Sequence, residues 1–159
     1  ADTYSPGMDE ILPYIDVLIA SEFVYQHYYK DLHYEKNLKD FMQKGPETVI
    51  VTLGGDGCVG ISGDGYFKLP AFSVEVRDTV GAGDVFHGAY IYGLCQSWRA
   101  KECARFASAV SAIKCTRLGG RAAIPTVEMT KQFLETGVID FEQLKMRVKY
   151  YERGIEHVR

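Results

Sequence analysis

Apolar positions recur with two periods along this chain, and the change from one to the other divides it. Asp16-Val17-Leu18-Ile19-Ala20 is a short apolar run bounded by polar residues, which predicts a buried strand. Thr48 to Leu53 is continuous and β-branched, and predicts a second one. Between them, Glu22 to Lys30 and His33 to Lys44 predict helices. In the later helix Tyr34, Leu38, Phe41 and Met42 mark one apolar face, and Gly45-Pro46 stops it. Strand, helices, strand predicts a crossover with the two strands parallel. Gly7 to Tyr14 predicts a short helix limited by Pro13. Beyond Leu53, Gly54-Gly55-Asp56-Gly57 predicts a hairpin turn. Cys58 to Ile61, Tyr66 to Leu69 and Phe72 to Val76 then predict short antiparallel strands, with Asp64-Gly65 turning between the first two. Phe72, Val74 and Val76 alternate, so the last of these has one wet face.

From residue 86 the period is helical. Phe86, Ala89, Tyr90, Gly93 and Leu94 recur at i, i+3, i+4, i+7 and i+8. Trp98 falls in a connecting turn, and Lys101 to Cys115 predicts the next helix. Cys103, Phe106, Ala107, Val110 and Lys114 share one of its faces, while Ala104, Ser108, Ser111 and Ala112 are small enough for close packing against a neighbour or a flat ligand. Thr126 reads as the N-cap of a helix from Val127 to Glu135, which Gly137 ends. Asp140-Phe141-Glu142-Gln143 resembles a capping box. After it, Phe141, Leu144, Val148, Tyr151 and Ile155 form a seam expected to dock on its own domain, with a homodimer or partner contact as the alternative. Lys145, Arg147, Lys149 and Arg153 read as the solvated face of that helix.

Composition narrows the class. The 159 residues suffice for one domain with a real core, and 47% apolar with 25% charged residues is ordinary for a globular protein. A net charge of −3 does not favour a sequence-independent grip on nucleic acid or an anionic membrane. No apolar run approaches spanning length, and no basic-then-apolar leader is present. Cys58, Cys95, Cys103 and Cys115 lack paired CxxC spacing, so reduced, mostly buried thiols in a cytoplasmic protein are expected. His27 and His33 have no partner at ligand spacing and read as surface or boundary histidines. No GxxxxGK[ST], no GxGxxG after a strand and no Gly-x-Ser-x-Gly elbow occurs.

The chemistry concentrates in Arg77-Asp78-Thr79-Val80-Gly81-Ala82-Gly83-Asp84-Val85-Phe86-His87-Gly88-Ala89. The layout is strand, glycine turn, helix. Gly81 and Gly83 permit close backbone approach to a ligand. The amides of Gly81, Ala82, Gly83 and Asp84 would leave the helix N-terminus, where the dipole favours anions. Asp84 puts a carboxylate at the same end. Donors aimed at an anion beside a base suit phosphoryl transfer. The plainer reading is a helix start with an acidic first turn and a glycine turn before it.

The wording of Asp78-Thr79-Val80-Gly81-Ala82-Gly83-Asp84, followed by Phe86, Gly88 and Ala89, closely resembles the C-terminal signature of the PfkB/ribokinase family of carbohydrate kinases. The resemblance implies a ribokinase-like α/β fold, a mostly parallel sheet flanked by helices with an antiparallel hairpin region. It also implies ATP and Mg2+ as cofactors and phosphotransfer to a hydroxyl of a sugar or sugar-like alcohol. Asp84 would be the catalytic base, and Gly81, Ala82 and Gly83, with the Asp84 amide, the anion hole. Thr52, Leu53, Gly54 and Gly57 match the family's Thr-Leu-Gly-x-x-Gly, which borders the nucleotide, as the Ala-rich helix with Ser108 and the loop with Gly119 would border the adenine. Ser21 and Val24 stand where the family commonly has Asn-x-x-Glu, so Glu22 would stand in at Mg2+, or Ser21 is simply an N-cap. A monovalent cation such as K+ would use backbone oxygens near Asp78, Val80 and the Gly119-Gly120 loop.

The chain begins without an initiator Met, and the family's sugar site and lid lie upstream of such a segment. The expectation is therefore residues 1–137 as the C-terminal part of a kinase domain with a 138–159 helical extension, inactive alone. Two further readings stay open: a non-catalytic nucleotide-binding or interaction domain descended from such a kinase, and a kinase of a nucleoside or vitamin alcohol.

Overall fold

The computed structural model of the chain describes residues 3–146 and 149. It separates into two compact units, residues 1–71 with 93–104 and residues 72–92 with 105–159.

The first unit holds a four-stranded sheet in the order β1-β2-β3-β4, with β1 Val17–Ser21, β2 Thr48–Thr52, β3 Cys58–Ser62 and β4 Gly65–Leu69. β1 and β2 run parallel with Val17 opposite Thr48 and Ser21 opposite Thr52, while β2–β3 and β3–β4 are antiparallel. The sheet is therefore mixed. Before it lie α1 (Met8–Ile11) and a 3-10 turn (Leu12–Tyr14) that carries Pro13. Between the parallel strands come α2 (Glu22–Tyr28) and α3 (Tyr34–Gln43). One face of the sheet, Leu18, Ala20, Val49, Val51, Val59 and Ile61, joins Val24, Tyr25, Leu38 and Phe41 from the two helices in one core cluster. Tyr34 and Met42 are half-buried against it, which is the apolar face the 3.6 period predicts.

Three local predictions shift. The turn between β3 and β4 is centred on Gly63-Asp64, one residue earlier than predicted, with Ser62 paired to Gly65. The β2–β3 connection is a 3-10 turn, Gly54–Asp56, closed by the Leu53 amide donating to the Gly57 carbonyl at 2.8 Å, in place of a two-residue Asp-Gly turn. Phe72 to Val76 is extended but joins no ladder. Its alternation holds over the first four residues, since Phe72 and Val74 pack against a helical cluster while Ser73 and Glu75 are exposed, but Val76, the third predicted inward position, is 57% exposed. A period of two places side chains; a strand also needs a neighbour to share hydrogen bonds.

The second unit carries residues 82–92 of α4 (Ala82–Cys95) and 105–115 of α5 (Ala100–Cys115), followed by α6 (Val127–Thr136). The Thr126 hydroxyl accepts the Met129 amide at 3.2 Å, and Gly137 closes α6 at φ +71°, as predicted. Asp140 accepts the amides of Glu142 and Gln143 at 3.1 and 3.0 Å, capping the helical stretch 141–146. Leu144 from that stretch is fully buried with Ala109, Ile113, Met129 and Phe133. The remainder of the predicted seam, Val148, Tyr151 and Ile155, and the charges of Arg147 and Arg153, lie outside the described residues.

Candidate active site

The glycine turn is built by its own backbone. The Thr79 carbonyl accepts the Ala82 amide at 3.0 Å, and the Gly81 carbonyl accepts the Val85 amide at 3.0 Å. Gly81 sits at φ +74°, and a Cβ there would lie 3.1 Å from the Gly120 carbonyl oxygen. Both the conformation and the space require glycine. Two further bonds fix the first turn of α4, one from α5 and one from within α4 itself. The Ser111 hydroxyl donates to the Ala82 carbonyl at 3.0 Å, and His87 Nδ1 lies 2.7 Å from the Gly83 carbonyl.

A helix start leaves its first amides without helical acceptors. Here Ala82 is the exception: its amide is spent on Thr79, which removes it from the expected anion hole. Among the described residues the amides of Gly81, Gly83 and Asp84 meet no backbone acceptor, and the last two lie at the positive end of the α4 dipole. The Asp84 side chain is exposed in the first turn of α4. It borders a recess of about 650 Å³ whose other walls include Val85, Ala89, Tyr92, Phe106 and Arg121. A carboxylate beside outward amides, at the mouth of a largely apolar recess, can hold an anion and take a proton from a group placed next to it.

Asp78 ties this turn to the loop after α5. Its Oδ1 accepts the Val80 amide at 2.9 Å and its Oδ2 the Gly119 amide at 2.7 Å. Those two bonds, with the Lys114 charge adding to them, hold its carboxyl below the usual carboxylate range. Gly119 sits at φ +92° with open space where a Cβ would be.

The other predicted positions divide between the units. Ser108 is half-buried on α5, in the same unit as the glycine turn. Thr52, Gly54, Gly57 and Glu22 belong to the sheet unit. Thr52 ends β2 and its hydroxyl donates to the Ala20 carbonyl at 3.4 Å. Gly54 is at φ +55° in open space, free for a ligand to approach. Gly57 has its own structural reason: at φ +93°, a Cβ would meet the Leu69 carbonyl oxygen at 2.1 Å. Ser21 caps α2, accepting the Val24 amide at 3.4 Å, as its N-cap reading predicts. Val24, at the position where a family member would carry Glu, is fully buried in the core. Glu22 is half-buried in the first turn of α2. No cluster of three His, Cys, Asp or Glu is arranged around a metal among the described residues. Mg2+ commonly needs only one or two protein carboxylates when phosphates and water complete its shell.

Four residues the motif reading left without a role stand near this turn: Ser111 and His87, which pin it, Arg121 on the recess, and Lys114. Lys114 had a signal in the sequence, as the one charged residue on the apolar face of its helix.

Comparison with known proteins gives the family of the sequence and of the fold. The sequence model described as pfkB family carbohydrate kinase matches residues 1–127. A ribokinase of Lactococcus lactis is 29% identical over 126 residues, covering 79% of this chain and 41% of that protein. Among solved structures, the ribokinase of Thermotoga maritima superposes with a TM-score of 0.72 at 33% identity, over 82% of this chain and 47% of that one. An E. coli structure holding ATP and Mg2+, provisionally assigned as a ribokinase II, gives 0.73 at 26% identity, over 80% and 42%. The chain thus spans less than half the length of these relatives.

Proposed function

The chain belongs to the pfkB family of carbohydrate kinases, and from that membership we propose that it serves ATP-dependent phosphoryl transfer to a hydroxyl of a sugar or sugar-like alcohol. What supports the reading is the α4 N-terminus: among the described residues the amides of Gly81, Gly83 and Asp84 meet no backbone acceptor, and the Asp84 side chain is exposed in the same turn. In this role the amides stabilise the charge that builds on the transferred phosphoryl, and Asp84 takes the proton of the attacking hydroxyl. Glu22 is the chain's candidate carboxylate for Mg2+, which when bound would offset the phosphate charge. Within the helical unit, Ser108 and Gly119 are the candidates to border the nucleotide; within the sheet unit the family-like candidates are Thr52, Gly54 and Gly57.

Two variants test the two halves of the reading. Asp84→Asn should keep Mg-ATP affinity in calorimetry and lower turnover on an accepted sugar by about 10²- to 10⁴-fold. Gly81→Ala should weaken Mg-ATP binding, because it moves the amides. Turnover near wild type in Asp84→Asn sinks the base assignment, and unchanged ATP affinity in Gly81→Ala sinks the anion hole. Tight ATP binding with no phosphoryl transfer to any of a panel of sugars, nucleosides and vitamin alcohols would favour a non-catalytic nucleotide-binding domain.

A further inference from the structure

The loop expected to hold a monovalent cation already holds a positive charge of its own. Lys114, in the last turn of α5, is fully buried, and its Nζ donates to the Asp78 carbonyl oxygen at 2.9 Å. That carbonyl is one of the oxygens a cation near Asp78 and Val80 would need. Two carbonyls next to the expected set, at the end of α5 and just after it, are engaged as well. Cys115 accepts the amides of Arg77 and Asp78 at 2.7 and 3.2 Å, and Thr116 accepts Arg117 Nη1 at 2.8 Å. A dehydrated alkali cation needs several oxygens turned toward it, and a second positive charge beside a buried ammonium meets repulsion that a low local dielectric magnifies. The residues present therefore do not fit a bound K+.

The ammonium itself is well placed. A buried charge is costly unless it is bonded and compensated. Here it has the Asp78 carbonyl, the field of the Asp78 carboxylate and the negative end of the α5 dipole. We propose that Lys114 is a built-in replacement for a monovalent cation, bracing Asp78 and through it the glycine turn, and that this loop binds no K+. The inference stands on this geometry whether or not the chain transfers phosphate, so its test reads stability and cation binding.

Thermal unfolding of the chain is compared in KCl and in tetramethylammonium chloride at equal ionic strength, for wild type and Lys114→Ala, with thallium NMR reporting K+-type binding directly. Wild type should unfold at the same temperature in both salts and show no saturable thallium signal. Lys114→Ala, with the ammonium gone and its space open, should gain a K+-specific rise of about 2–4 °C. A K+-specific rise or saturable thallium binding in wild type overturns the proposal, and so does a folded Lys114→Ala variant that gains neither. The wild-type comparison decides even where the variant does not fold.

Discussion

Asn37 shows what a single polar residue can carry in the sheet unit. It is buried on α3, donating to the Tyr25 hydroxyl at 2.8 Å and to Asp31 Oδ1 at 2.7 Å, while the Tyr25 hydroxyl donates to the Asp31 carbonyl at 2.9 Å. The α2–α3 connection is thereby fastened to the core. The His33 amide first, and Asn37 second, hold the Asp31 carboxyl below its ordinary range. A depressed folded-state value means the stabilisation is present above the unfolded carboxylate pKa of about 3.9 and is lost as pH falls through the folded value. Asn37→Ala should cost about 1–3 kcal/mol in urea unfolding at neutral pH, because it leaves the Tyr25 hydroxyl with one partner fewer. It should also reduce the loss of stability between neutral pH and pH values below 4. An unchanged acid limb would show that Asn37 does not act on Asp31. At this scale the sequence spoke unevenly. Gly81 was legible because a motif surrounds it. Asn37 was not, because an Asn inside a helical pattern looks the same whether it faces water or a tyrosine.

The helices divide into those whose ends are written by local caps and one whose start is tied to a distant segment. α6 is bounded by Thr126 and Gly137, both readable from residue type, since an N-cap and a left-handed C′ glycine depend on a few neighbouring atoms. Thr126→Ala should lower stability by about 1 kcal/mol in chemical unfolding, whereas an unchanged midpoint would show that the cap does not hold α6. α4 begins differently. Its first amide is taken by a turn, its next two are left open, and its first carbonyl is held by Ser111, twenty-nine positions on. Phe72 to Val76 has the pattern of a strand and none of its partners, because its inward residues meet helices. Periodicity specifies which side chains are covered, and the covering element decides what the segment becomes.

Both units are closed by apolar clusters with few polar intruders, and the thiols follow that division of inside from outside. Cys58, Cys103 and Cys115 are buried and Cys95 is exposed. Burial raises the thiols of Cys103 and Cys115 as well. Ellman's reagent should titrate one thiol in the native protein and all four in denaturant. More than one fast native thiol would mean that a unit opens readily. No helix among the described residues is long and apolar enough to cross a membrane. On this scale the sequence by itself determined the order of the helices and ladder strands, the parallel β1–β2 pair across its helices, the caps and the glycine-rich family signature. Each of these rests on contacts within a turn or on a period, and both are written in consecutive residues. The tertiary structure alone decided the ladder partners of each extended segment and which amides of the turn remain for an anion. It also decided that Val24 faces the core and that the Lys114 ammonium reaches the Asp78 carbonyl across thirty-six positions. These depend on where distant segments meet in space, and there the burial of a charge is settled by the partner it finds.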